Sequence, residues 1–186
     1  MRVLGIGGSP RAGGNTDILL DEALRGARSK SAVTEKVILN DLKMVPCQEC
    51  IEMPNDGKCI IKDDFESLYK KISAADAIII ASPIFFGSVS AQTKIMIDRF
   101  QCAWRYKYIL KKPPVWARKQ GAFISAEGSS RKDFFDNAKA IIKNLFATIN
   151  VDYKGELLCC NMDEKGAIQK NPDFLKKAFK LGCEMV

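Results

Sequence analysis

Arg2-Val3-Leu4-Gly5-Ile6-Gly7-Gly8-Ser9-Pro10-Arg11-Ala12-Gly13-Gly14-Asn15-Thr16 decides the fold. A short apolar run, Arg2 to Ile6, has the length of a strand. Ten loop-type residues follow, and then a stretch from Thr16 to Arg28. In that stretch Ile18, Leu19, Ala23, Leu24 and Ala27 recur near helical spacing. Strand, glycine-rich loop and helix in that order build an anion site. Backbone N–H groups are left free, the positive end of the helix dipole faces them, and hydroxyls can donate. Ser9, Arg11, Asn15 and Thr16 are the natural donors to a phosphate. Two better-known phosphate loops do not fit. No Lys precedes Asn15-Thr16, as a nucleotide P-loop requires, and Gly5-x-Gly7 meets Pro10 where a dinucleotide fingerprint needs its third Gly. The loop has no Cys, which excludes a cysteine phosphatase loop. A plain turn capped by Asn or Thr needs fewer residues than the ten present.

Outward from this stretch the pattern repeats. Val33 to Leu39 reads as a second strand and Ala77 to Ala81 as a third. Gly121 to Ser125 reads as a fourth and Tyr153 to Cys159 as a fifth. Helices are predicted over Asp63 to Ala74, Ser90 to Phe100 (capped by Ser88 or Ser90) and Arg131 to Ile149, with a last one opening at Pro172. Lys111 to Ala117, around Pro113-Pro114, reads as loop. Alternating strands and helices with right-handed crossovers give an α/β fold, a doubly wound five-stranded parallel sheet of order 2-1-3-4-5. Its ligand crevice lies at the switch point between strands one and three. At 186 residues, with no repeat and no linker, the chain suits one domain spanning 1–186.

The other loops at that crevice agree. Ser82-Pro83-Ile84-Phe85-Phe86-Gly87-Ser88 sets two aromatics between Pro and Gly. A flat apolar ligand explains them, with Gly87 and Ser88 offering N–H groups to its polar edge; the alternative is that Phe85 and Phe86 pack beneath the loop. Ser125-Ala126-Glu127-Gly128, small and polar, supplies a third wall.

Composition removes whole classes of chemistry. The sequence has no His, so Ser-His-Asp and Cys-His catalysis and every His-ligated metal site are excluded. No apolar run reaches the roughly 18–20 residues a bilayer span needs, and the apolar run at the N-terminus is short for a signal peptide. The reading is a cytoplasmic protein. Its seven cysteines are then free thiols or metal ligands rather than a disulfide framework.

Together, the loops at 7–16 and 82–91 resemble those of the flavodoxin-like NAD(P)H-dependent FMN reductase family, most closely its iron-sulfur flavoprotein branch. The resemblance runs to about residue 130. It implies a flavodoxin-like FMN domain. Ser9, Arg11, Asn15 and Thr16 would hold the FMN phosphate. Pro83, Ile84, Phe85, Phe86, Gly87 and Ser88 would wrap the isoalloxazine, with Ser125, Ala126, Glu127 and Gly128 on its other side. The flavin would carry the chemistry, so no catalytic side chain is named. NAD(P)H is the implied donor, with a small-molecule redox substrate or an electron-transfer protein as partner. A homodimer or homotetramer is implied, with no nucleic acid and no membrane as partner.

Two further stretches stand out. Cys47-Gln48-Glu49-Cys50 and Cys59 lie in a loop over 41–62, ahead of Asp63-Asp64. Iron-sulfur flavoproteins carry four cysteines here, roughly Cys-x2-Cys-x2-Cys with a fourth shortly after. This chain has Met53 at the third place. Three readings stay open: an iron-sulfur cluster on three thiolates with an outside or non-thiolate ligand, a metal-free loop of redox-active or free thiols, or zinc completed by Cys102, Cys159 or Cys160. The stretch 101–120 holds Arg105, Lys107, Lys111, Lys112, Arg118 and Lys119, no acid, both tryptophans, Tyr106 and Tyr108. Read as a basic aromatic loop, it suits a subunit interface or a lid over the NADPH 2′-phosphate. A solvated loop with aromatic anchors is the plainer alternative, and single-stranded nucleic acid the weakest.

Overall fold

The computed structural model describes residues 1–50 and 55–186. Strand β1 (Arg2–Gly7) leads into helix α1 (Asn15–Ser29), then β2 (Val33–Ile38). After the cysteine-bearing loop come α2 (Phe65–Ala74), β3 (Ala77–Phe85), β4 (Ser88–Val89), α3 (Ala91–Asp98) and α4 (Gln101–Trp104). The chain closes with β5 (Lys119–Ala126), α5 (Phe134–Thr148), β6 (Val151–Cys159) and α6 (Pro172–Cys183). The parallel strands run in the order β2-β1-β3-β5-β6. This is the expected doubly wound order, with one extra two-residue strand, β4, antiparallel to the end of β3.

Strand parity sorts the core into two layers, because successive side chains point to opposite faces. Leu4, Ile6, Ile78, Ile80 and Phe123 face α2, α3 and α5. Val3, Ala77, Ile79, Ala122 and Ile124 face α1 and α6. Both faces are covered, which is why β3 reads as an uninterrupted apolar run.

Boundaries differ from the sequence reading by about two residues at α2, α3, β5 and β6, and three differences matter more. The third strand continues past Ala81 through Ser82-Pro83 to Phe85, where Phe86 (φ 50°) and Gly87 (φ 70°) make a two-residue hairpin turn into β4. The helix expected from Arg131 begins at Phe134. The stretch 101–120 is not wholly loop: α4 runs on into a single π-helical turn, Arg105–Ile109, and irregular chain starts only after it, around Lys111 (φ 52°). Ser90 is the cap of α3, accepting from the Thr93 N–H at 3.2 Å. Among the described residues no helix is long and apolar enough to cross a membrane.

Candidate functional site

The C-terminal ends of β1, β3 and β5 open into one cleft of about 160 Å³. Its first wall is the β1–α1 loop. Gly8 N–H donates to Ala81 O at 2.7 Å, and Ser90 Oγ donates to Gly8 O at 2.6 Å, which pins this loop to β3 and α3. Ser9, Arg11, Asn15 and Thr16, the expected phosphate donors, all line the cleft. The N-cap of α1 is Gly14, and no side chain caps that helix. Its first-turn amides are therefore oriented into the cleft end without a side-chain acceptor, the arrangement an oxyanion fits.

Asn15 has a different job from its three neighbours. Its Nδ2 donates to Met162 O and Glu164 O, each at 2.9 Å, and its Oδ1 accepts from Ile168 N–H at 3.1 Å. All of that amide's bonds go to the loop after β6. That loop brings Met162, Asp163 and Lys165 into the cleft, residues the sequence reading did not name. Their only sequence signal is position: a polar stretch leaving the C-terminal end of a strand next to the switch point. Lys165 adds a cation at the α1 end of the cleft, near Gly13.

The second wall is Pro83, Ile84 and Phe85. Phe86 does not pack beneath the loop. It projects fully into solvent from the hairpin turn, outside the cleft proper, with Gly87 and Ser88 beside it. Asn137 Nδ2 steadies the turn by donating to Gly87 O at 3.0 Å.

The third wall is Ala126, Glu127 and Gly128. Ser125 lies below it, fully buried, with Oγ donating to Ser82 O at 2.7 Å. Ser82, Ser90 and Thr93 continue that buried hydroxyl network, which fixes the spacing of the loops rather than reaching the cleft. Glu127 is only 4% exposed. Its Oε2 accepts from Ser129 Oγ at 2.9 Å, while Oε1 is buried with no hydrogen-bond partner in the protein. An orphaned buried carboxylate oxygen at a cleft wall fits a ligand with a polar edge. An anion-binding end, an apolar wall and an unsatisfied polar atom together match FMN, with its phosphate, ring and ring edge.

A second cluster lies beyond α2. Cys47, Cys50, Cys59 and Cys102 line one small pocket around Arg99. Arg99 is 1% exposed and ties the cysteine loop together. Its Nε donates to Cys59 Sγ at 3.3 Å, Nη1 to Val45 O at 2.9 Å and to Asp63 Oδ2 at 2.6 Å, and Nη2 to Ile61 O at 3.2 Å. Burial works against the Asp63 carboxylate, but the Arg99 bond and the Val45 and Phe65 amides outweigh it and hold its pKa below the ordinary value. Burial, and then the neighbouring Cys59, pushes the Cys102 thiol up to about 12. The fold does not bring Cys159 or Cys160 here. Cys159 is buried in the layer under α1 and α6, and Cys160 stands beside Glu127, its pKa raised by burial and then by that carboxylate. Among the described residues no group of three or more His, Cys, Asp or Glu is arranged to hold a metal ion. Met53 lies outside the described residues. The four thiols border a space of only about 10 Å³, so their arrangement here does not fit an iron-sulfur cluster.

The basic stretch is largely built in. Trp116 packs against Tyr69 and Phe100, with ring centroids 4.7 and 5.9 Å away. Lys119 Nζ donates to Ser73 O at 2.8 Å and Ala75 O at 2.5 Å, and burial lowers its pKa. Arg118 pairs with Asp152 at 2.9 Å, and Arg105 donates to Asn55 Oδ1 at 2.8 Å. Trp104 stays 43% exposed.

Residues 1–145 match the model of a family described as NADPH-dependent FMN reductase. An iron-sulfur flavoprotein of Methanocaldococcus jannaschii is 46% identical over 99 residues, covering 53% of this chain and 51% of the relative. One of Methanosarcina thermophila is 35% identical over 129 residues, covering 69% of this chain and 64% of the relative. The chain thus spans about half to two thirds of the length of these curated relatives. An NAD(P)H:quinone oxidoreductase from Methanothermobacter marburgensis superposes with a TM-score of 0.76 at 16% identity, covering 100% of this chain and 99% of that one, a likeness of fold.

Proposed function

Because the chain belongs to the NADPH-dependent FMN reductase family, we propose that it is an FMN-binding oxidoreductase passing electrons from NAD(P)H, through the flavin, to a small acceptor. The carrying observation is the convergence of three loops on one cleft at the switch point, with the uncapped α1 N-terminus at one end and Ile84 and Phe85 at the other. FMN supplies the electron-transfer chemistry when bound. The protein's part is to bind and orient. Ser9, Thr16 and the α1 amides receive the phosphate, and Arg11 and Lys165 neutralise it. Pro83 to Phe85 cover one ring face, and Glu127 Oε1 meets a polar edge. With no His in the sequence, the titratable side chains in the cleft are Arg11, Glu127, Asp163 and Lys165. A homodimer or homotetramer in the cytoplasm is part of this reading, with Phe86 as an exposed aromatic beside the cleft for a second subunit to cover.

The test is an FMN titration followed by quenching of flavin fluorescence, with riboflavin as the phosphate-free control. Arg11→Ala is expected to weaken FMN by about tenfold, the worth of about 1.4 kcal/mol, and to leave riboflavin unchanged. No binding of FMN by the unaltered protein sinks the proposal. Equal weakening of both ligands removes Arg11 from the phosphate.

A second reading, an electron carrier between a ferredoxin-like donor and a partner protein, is favoured by the cysteine pocket around Arg99. Rapid NAD(P)H oxidation with no partner present counts against it.

A further inference from the structure

Glu127 is a buried carboxylate that the fold leaves half satisfied. Its backbone is locked at the end of the sheet. Its N–H donates to Cys159 O at 2.9 Å, and its carbonyl accepts from Met162 N–H at 2.8 Å. The side chain is held as firmly. Oε2 accepts from Ser129 Oγ at 2.9 Å, and the Ser129 carbonyl in turn accepts from Asn161 N–H at 2.8 Å. Oε1 is left without a partner, on a residue that lines the cleft. The Cys160 thiol stands beside the carboxylate but makes no hydrogen bond to Oε1. Arg131, near enough to feel the charge, is committed to Asp133 at 2.6 Å. Among the described residues no Lys or Arg donates to either oxygen. Burying a charged group without a partner is costly. That cost is relieved when a ligand brings a donor to Oε1.

Position and chemistry narrow the donor. β5 lies two strands from β1 in the sheet, about 10 Å at the usual strand spacing. Glu127 therefore stands away from the α1 end of the cleft, where Arg11 and Lys165 gather. An ionised carboxyl accepts hydrogen bonds and cannot donate. The oxidised isoalloxazine ring carries carbonyls and bare ring nitrogens that only accept, and a single N–H, at N3. Resting on the FMN reading above, we propose that Glu127 Oε1 accepts from this N3–H, and so both selects the ring and fixes a negative charge beside it. The N3 proton is present before and after two-electron reduction, so the hydrogen bond favours neither state. The charge does favour one. A carboxylate with no counter-cation, in a water-poor site, opposes the addition of electrons to its neighbour. Glu127 is thus a positioning residue that holds the potential of bound flavin low and makes the reduced flavin a stronger donor.

The experiment titrates the full chain with FMN and with N3-methyl-FMN, followed by flavin fluorescence, for the unaltered protein and Glu127→Ala. Methylation removes the single ring donor. It is expected to weaken binding to the unaltered protein by about tenfold or more and binding to Glu127→Ala by less than about threefold. Glu127→Gln keeps the shape and removes the charge. It is expected to raise the midpoint potential of bound FMN by about 30 mV, which is a tenfold change for a two-electron couple. Its flavin-free melting temperature should be unchanged or higher, since an unpaired buried charge has gone; a merely structural glutamate would lower the melting temperature and leave the potential where it was. Equal methylation penalties in the unaltered protein and Glu127→Ala put the carboxylate on the ribityl hydroxyls or on no part of the ligand, and overturn the assignment. A potential that does not rise in Glu127→Gln overturns it as well. Either result, with FMN still bound, leaves the proposed function standing, whereas unaltered protein that binds no FMN removes both.

Discussion

Arg99 is the largest side chain the fold buries completely, and it does so as a cation. A buried charge is tolerated only when it is paired and hydrogen-bonded. Asp63 supplies the counter-charge from the N-terminal side of α2, at 2.6 and 3.1 Å. Removing one partner of such a pair leaves the other stranded. Asp63→Asn is therefore expected to lower unfolding free energy by about 3–5 kcal/mol, measured in urea, with the cysteine loop losing its order first. The pH dependence has a defined sign. Asp63 titrates below its ordinary value in the folded chain. Its stabilising share is thus whole above the ordinary carboxylate pKa and is lost as the pH falls through the lowered one. Unaltered protein should destabilise through this acidic window with a limb that Asp63→Asn lacks. Identical acid limbs in the two proteins would show that the pair contributes nothing to acid stability. The sequence offered Asp63-Asp64 as a helix N-terminus with favourable charge. It offered no sign that an arginine 36 residues further along would claim Asp63, because that pairing depends on how α3 and α4 cross the loop.

At the scale of elements, periodicity made the parallel strands and their order legible, since each is a short apolar run followed by a helical stripe. Local chemistry that looked like loop was harder to place. Ser82 and Pro83 carry turn-type residues, yet both pair with β5, because Ser82 turns its hydroxyl inward to Ser90 and Pro83 is held by its neighbours' ladder. Asn15 shows the same limit in a functional residue. It lies at the start of α1, as its sequence position implies, but its amide bridges two loops that lie about 150 residues apart in sequence. This bridge is specific enough to test. Asn15→Ala is expected to lower stability by about 0.5–1.5 kcal/mol, the net worth of a hydrogen bond between part-buried groups. It should also weaken FMN, because Lys165 and Asp163 leave the cleft. Hydrogen exchange locates the effect: faster exchange at Ile168 and its neighbours is the expected pattern. If instead FMN affinity falls with no change in exchange there, Asn15 acts on the phosphate directly.

The whole molecule is two helical layers on one sheet, and the layers serve different sites. The layer of α2, α3 and α5 carries the aromatic cluster and the cysteine pocket. The layer of α1 and α6 carries the end of the cleft proposed for the phosphate, for α1 begins there. Helix α6 lies beyond the stretch that matches the family, residues 1–145, yet it sets where α1 sits. The two helices touch backbone to backbone. A Cβ at Gly26 would collide with the Phe179 carbonyl, and one at Gly182 with the Ala23 carbonyl. Only glycine at both positions allows that approach, and neither glycine was a predicted feature, since a sequence does not show which helices will cross. Gly182→Val forces α6 away from α1. Overpacking of this kind usually costs about 1–3 kcal/mol, and the melting temperature should fall accordingly. The displacement also reaches the N-terminus of α1 through a rigid helix, so FMN affinity should fall while riboflavin affinity changes less. A melting temperature that falls with FMN affinity unchanged would mean that α6 only covers the sheet, and that the phosphate end is fixed by the Gly8 contacts to Ala81 and Ser90 alone.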